Sequence, residues 1–207
     1  MSIVLYYHPF SRAQTAVWML EELGVPYERR FVDITKGEQK LPEVTSLNPM
    51  GKLPILQDDD ALVTELAAIG LYLADKYAPG KLAPDLHDPA RGAYLRWAFF
   101  APSVLEPGCA AKSSGWEYRE SAVGWGNYEA MLATLEHALR RGDFLLGTQF
   151  SMVDVVLGGT LRFMLRFKMI EPRSTFVAYV DRLNARPALM RADVINALEA
   201  ETHGLNR

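Results

Sequence analysis

The spacing of apolar positions divides this chain into two kinds of sequence. SIVLYY and YERRFVDI are rich in β-branched and aromatic residues, have turn formers near their ends, and predict strands. Between them Ala13, Ala16, Val17, Leu20 and Leu23 recur at helical spacing, and Gly24 with Pro26 ends that run. Two strands joined through a helix predict a parallel pair with a right-handed crossover. KLPILQDDDALVT then reads as two short strands about a triple-Asp turn, an antiparallel hairpin. ELAAIGLYLADKY places Leu66, Ile69, Leu73 and Tyr77 on one helical face. The order β-α-β, then β-β-α, is complete by about Ala78.

Beyond it the pattern changes. Residues 79–87 crowd Pro, Gly and Asp together and read as a linker. After Asp88 strand patterns disappear, and Asp88-Pro89 suits an N-cap followed by Pro at the first helical position. Helical stretches follow, with breaks expected around 107–115, 142–147, 171–172 and 186–187. The expected organisation is therefore a domain over 1–78, a linker over 79–87 and an all-helical domain over 88–207. Within the last, FSMVDVV carries Ser151 and Asp154 at capping-box spacing, with Phe150 and Val155 placed for a hydrophobic staple. That motif concerns the folding of one buried helix and carries no catalytic role.

Composition narrows the function classes. The chain has 207 residues and a net charge of −3, so nothing attracts it broadly to phosphate backbones, and nucleic acid is not the expected partner. One cysteine excludes an intramolecular disulfide framework and any CxxC pair. No apolar run reaches the ~18 residues of a membrane span, and no basic segment followed by an apolar core opens the chain. These patterns lead to the expectation of a soluble, cytoplasmic protein with neither membrane nor metal.

The candidate chemistry clusters at element junctions. Ser11-Arg12-Ala13-Gln14 fits a capping box at the start of the first helix. A serine hydroxyl has one donor and two acceptor lone pairs, so it can also donate to an anion outside the helix. A thiolate there would feel the positive end of the helix as well, and both effects favour ionisation of a thiol whose free pKa is about 8.5. Leu53-Pro54 opens a strand after a turn-rich approach, which makes it a candidate cis peptide, with a trans bond at a strand's first residue as the alternative. If cis, Leu53 can turn its backbone toward an extended peptide. Glu65 and Leu66 open the next predicted helix, where backbone N–H groups suit a carboxylate and Glu65 suits an ammonium. Gln39, Lys40 and Lys52 lie in polar segments nearby in sequence. His8 invites a Ser-His hydrolase, but nothing resembles a nucleophile elbow and no acidic partner is evident.

YYHPFSRAQ, LEELGVPYE, KGEQKLPEVTSLNPMGKLPIL and TELAAIGLYLADKY, in that order, resemble the thioredoxin-like domain of the glutathione transferases, and FSMVDVV with YVDRLNARPALMRA is similar to their helical C-terminal domain. The resemblance spans nearly the whole chain and implies an α/β thioredoxin-like domain (βαβ-ββα) followed by an all-α domain. It further implies a serine-type, bacterial-like member in which Ser11 stabilises the glutathione thiolate and the backbone of Leu53, before Pro54, pairs with the glutathione cysteine. Gln39 and Lys52 then meet the glycine end of the tripeptide, and Glu65 holds the γ-glutamyl group. Leu66 stands where the family usually has serine or threonine, so one hydroxyl donor to that group is missing. Tyr6 and Tyr7 are alternatives for the thiolate, since tyrosine-type members use a phenol near the end of strand one. Strand alternation lets at most one of them approach.

The implied reaction conjugates glutathione, as co-substrate, to an electrophilic apolar small molecule, in a homodimeric detoxification enzyme. Phe10 and Phe100 are the preferred residues for the electrophile's pocket, among aromatics that are mostly core. Two other readings stand beside it. One is a non-catalytic binding or scaffold protein of the same fold. The other is a glutathione-dependent peroxidase, disfavoured because Cys109 lies in the helical part and reads as a packing residue.

Overall fold

A computed structural model of the chain describes residues 2–205. Its elements run β1 (Ile3–Tyr7), α1 (Ala13–Leu23), β2 (Glu28–Phe31), α2 (Pro42–Thr45), β3 (Ile55–Asp58), β4 (Ala61–Thr64) and α3 (Leu66–Tyr77). Six further helices follow: α4 (Ala90–Phe100), α5 (Glu106–Ser113), α6 (Tyr128–Leu139), α7 (Met152–Arg166), α8 (Ser174–Asn184) and α9 (Pro187–Thr202). The strands form one mixed sheet in the order β2-β1-β3-β4. β1 and β2 are parallel, and β3 is antiparallel to both β1 and β4. This is the α/β thioredoxin-like arrangement followed by helices.

By backbone contacts the chain divides into two compact units, residues 2–73 with 186–205, and residues 74–185. In the first, alternation sends the two tyrosines of β1 to opposite faces. Tyr6 joins Val32, Val44, Leu47, Leu53 and Ile55 on the α2 side. Tyr7 is fully buried and donates its hydroxyl hydrogen to Asn196 Oδ1 of α9 at 2.9 Å. Helix α1 is buried from Ala13 to Leu20 apart from Gln14, more than one amphipathic stripe requires, because α9 covers the side the sheet leaves open. Arg186 grips Glu22 through two bonds of 2.7 and 2.8 Å, and Arg191 reaches Glu21 at 2.8 Å. Gly24 ends α1 in the left-handed region at φ 65° and donates to the Leu20 carbonyl, as the Gly-x-Pro signal predicts.

In the second unit α7 is the central helix, buried without interruption from Met152 to Leu161. A Cβ on Gly158 would sit 2.3 Å from Leu183 Cδ1, so only glycine lets α8 approach this closely. The Ser151 capping box forms. Asp154 accepts from the backbone N–H of Ser151 and of Leu145, both at 2.9 Å, from the Ser151 hydroxyl at 3.1 Å and from the Tyr179 hydroxyl at 2.9 Å. The break expected around 107–115 is narrower than the sequence suggests. A π-helical stretch over Ala101–Leu105 carries α4 into α5, and Pro102 and Pro107, which have no N–H to donate, both lie inside this continuous run. The short helix α2, too brief for a periodic pattern, is not legible in sequence.

Candidate active site

Strand directions gather the candidate residues before any side chain is considered. Tyr7 pairs with Phe31, Tyr6 with Ile55, and Ile55 with Thr64. The chain therefore leaves β1, leaves β2, enters β3 and leaves β4 at one end of the sheet. Ser11 follows the first exit and Gln39 the second, Lys52, Leu53 and Pro54 lead into β3, and Glu65 and Leu66 follow β4. Seven of the nine residues named as catalytic, binding or pocket-lining candidates lie within the segments 39–54 and 65–66 or at Ser11, off that end. Phe10 is beside Ser11, whereas Phe100 belongs to the second unit, is buried and meets Trp97 edge-on at 5.1 Å.

At the β1 exit the chain makes a tight turn. The His8 carbonyl accepts the Ser11 N–H at 3.1 Å and the Ser11 hydroxyl at 2.9 Å. The same hydroxyl oxygen accepts the Ala13 N–H, the first of α1, at 3.1 Å. This differs from the predicted capping box in one respect. The turn shifts the cap position to Arg12, so Ser11 satisfies Ala13 in place of Gln14, whose N–H takes the Ser11 carbonyl at 3.2 Å. The hydroxyl is thus held at the positive end of α1 by bonds on both sides, and its hydrogen rests on His8.

His8 completes the turn. Its ring is buried, Nδ1 accepts the Phe10 N–H at 3.1 Å, and Nε2 meets no acceptor among the described residues. Burial lowers its pKa, Asp33 partly offsets that, and His203 adds to it. Each tyrosine of β1 has its own partner. Tyr7 is committed to Asn196, its phenol pushed far above the usual value by burial and then by Glu199. The Tyr6 hydroxyl accepts from Arg30 Nη1 at 3.1 Å, on the α2 side.

Leu53-Pro54 is cis. Gly51, at φ 57°, lets the Gln39 carbonyl come within 2.7 Å of where a Cβ would stand, which closes the 39–52 segment on itself. The Gln39 side-chain oxygen is buried without a partner among the described residues. Lys52 is exposed, its carbonyl taken by Asn48 at 3.0 Å. Glu65 stands at φ 68°, an unusual conformation for a residue with a Cβ and one that clusters at binding sites. It is exposed, its carbonyl starts α3 by accepting the Ile69 N–H, and Leu66 is the first residue of that helix. Cys109 is buried in the second unit, where burial pushes its thiol up to about 11 and leaves it protonated at neutral pH. Among the described residues no cluster suits a metal ion and no helix is long and apolar enough to cross a membrane.

Comparison with known proteins agrees with this architecture. The profile of the glutathione S-transferase N-terminal domain matches residues 10–76, and that of the C-terminal domain matches residues 118–192. Glutathione S-transferase 2 of Schizosaccharomyces pombe is 33% identical over 200 residues, spanning 84% of this chain and 86% of its own. A glutathione transferase of Phanerochaete chrysosporium, solved with oxidized glutathione, superimposes with a TM-score of 0.79 at 27% identity, over 95% of this chain and 97% of its own. A bacterial relative solved as a ternary complex, BphK, gives 0.78 at 27% identity, over 94% and 99%. The chain belongs to the glutathione S-transferase family, and its curated relatives are named as transferases of that family.

What sequence reasoning missed is His8. The sequence alone suggests only a hydrolase base there, although a polar ring two residues before Phe10 can reach that N–H, a local side-chain-to-backbone bond of the kind that organises turns.

Proposed function

We propose that this protein conjugates the thiolate of glutathione to an electrophilic carbon of an apolar small molecule, with Ser11 stabilising the sulfur. The observation that carries the reading is the Ser11 hydroxyl fixed at the N-terminus of α1, off the sheet end that also holds Leu53-Pro54 and Glu65. To serve a thiolate, the hydroxyl hydrogen must leave the His8 carbonyl. That exchanges a neutral bond worth about 1 kcal/mol for a charge-assisted one worth about 1.5–3 kcal/mol, so the exchange is favourable once glutathione is bound. The tripeptide would lie against Leu53, its glycine end toward Gln39 and Lys52 and its γ-glutamyl end toward Glu65 and the α3 N-terminus. Phe10 stands beside the reacting sulfur in this arrangement, while Phe100 is kept as a pocket residue only on the concentration of aromatics around it in the sequence. Homodimerisation and detoxification rest on the family, and cytoplasmic residence on the composition. Turnover of a generic aryl halide with glutathione tests the activity, and its absence in correctly folded protein overturns the proposal.

One observation favours the non-catalytic reading: Leu66 brings no hydroxyl to the first turn of α3. The expected remedy is direct. Leu66→Ser should tighten glutathione binding roughly ten- to a hundred-fold by supplying a donor to a charged carboxylate, read by calorimetric titration. Unchanged affinity would show that the γ-glutamyl group does not lie at α3. No heat with wild type at millimolar glutathione would favour a scaffold.

A further inference from the structure

We infer that His8 is a positioning residue for Ser11, and that it holds the 8–11 turn only while its imidazole is neutral. The inference rests on the reading of Ser11 as the thiolate partner. Two features carry it. The first is division of labour within one residue: the His8 carbonyl takes both the N–H and the hydroxyl of Ser11, while Nδ1 takes the N–H of Phe10. Three polar bonds that shape the turn pass through His8. The second is the ring's surroundings. It is fully buried, lies 5.7 Å edge-on from the Phe10 ring and 5.4 Å from the Phe31 ring, and Nε2 has no acceptor among the described residues.

Because Nδ1 accepts, the neutral ring carries its hydrogen on Nε2. A second proton has to go to Nδ1, where it would face the Phe10 N–H across 3.1 Å, donor against donor. Protonation therefore breaks the bond that fixes Phe10 and loosens the turn holding the Ser11 hydroxyl. The charged and titratable groups near the ring are Asp33, tied to Lys36 at 2.8 Å, and His203, which pairs with Glu199 at 3.3 Å and stacks on Phe31. Burial outweighs Asp33 and keeps the ring neutral below the pH at which a free imidazole titrates, about 6.5. The sign follows: the unfolded chain takes up this proton at higher pH than the folded one, so stability falls as the pH drops through 6.5 toward the folded value.

Two substitutions separate these roles. Asparagine places an oxygen near the position of Nδ1 and does not titrate, whereas leucine fills the site and accepts nothing. With aryl halide and glutathione near pH 7.5, His8→Leu should lose about ten- to a hundred-fold in kcat with the glutathione KM little changed, the size of effect that misplacement of a reacting group produces. His8→Asn should recover most of that loss. Its acid limb of kcat/KM should fall with one proton fewer than wild type, and its melting temperature should lose less between pH 7 and 5. Ser11→Ala is measured alongside. If Ser11→Ala turns over like wild type, the Ser11 reading fails and takes the role of His8 with it. If Ser11→Ala is impaired while folded His8→Leu is not, only the inference about His8 is overturned. Should His8→Leu fail to fold, the asparagine variant decides, because an acid limb identical to wild type contradicts the inference.

Discussion

Ser11→Ala is expected to lower kcat/KM for conjugation by roughly ten- to a hundred-fold, while costing only about 1 kcal/mol of stability. The two numbers come from different bonds of one oxygen. Acceptance from the Ala13 N–H is a helix-start contact, and losing such a contact costs about 0.5–2 kcal/mol. Donation to a thiolate is charge-assisted, worth about 1.5–3 kcal/mol, which corresponds to roughly one to two units in the pKa of the bound thiol. The variant should therefore need a more alkaline medium to reach its maximal rate, and the acid limb of kcat/KM should move up by that amount. Pre-steady-state or steady-state rates across pH 5–9, with a melting curve at each point, separate the contributions. A variant that melts early yet turns over like wild type would assign the hydroxyl to capping alone.

The second large effect concerns stability. Asp154→Ala should destabilise the second unit by about 3–5 kcal/mol, because it leaves the buried N–H groups of Leu145 and Ser151 and the Tyr179 hydroxyl without their acceptor. A domain's whole margin is about 5–15 kcal/mol, and for a chain of this size each kcal/mol moves Tm by about 2–4 °C, so a fall of roughly ten degrees is expected. Burial pushes the Asp154 carboxyl up and its four donors offset that, so asparagine, which keeps one acceptor and the shape, should cost less than alanine. At a temperature where Asp154→Ala is folded, its kcat should match wild type. A Tm within about 2 °C of wild type would show that water or rearrangement satisfies those groups.

Legibility in the sequence followed the range of the interaction. The strands, α1, α3 and the Ser151 box declare themselves through local period and capping chemistry, and the hairpin through its three aspartates. The candidate residues come together because the thioredoxin-like order places junctions at one sheet end, so motifs distant in sequence share a neighbourhood. Three things were hidden. The bond from the Ser11 hydroxyl to the His8 carbonyl depends on turn geometry that many sequences with Pro9 could satisfy otherwise. The positive φ of Glu65 follows from how β4 meets α3 and has no glycine to announce it. The partnership of α9 with α1 joins segments nearly the whole chain apart, and α9 shows little apolar sidedness, with Met190, Val194 and Leu198 exposed opposite Ala188, Leu189 and Ala192.

That partnership constrains the order of events on the ribosome. The sheet and α1 are made before residues 74–185, but Asn196, which takes the Tyr7 hydroxyl, and Arg186, which takes Glu22, emerge after them. A nascent chain stopped before residue 186 should therefore leave Trp18 and its neighbours wet and open to proteases. Resistance should arrive only when α9 clears the exit tunnel, so the unit begun before residues 74–185 is completed after them.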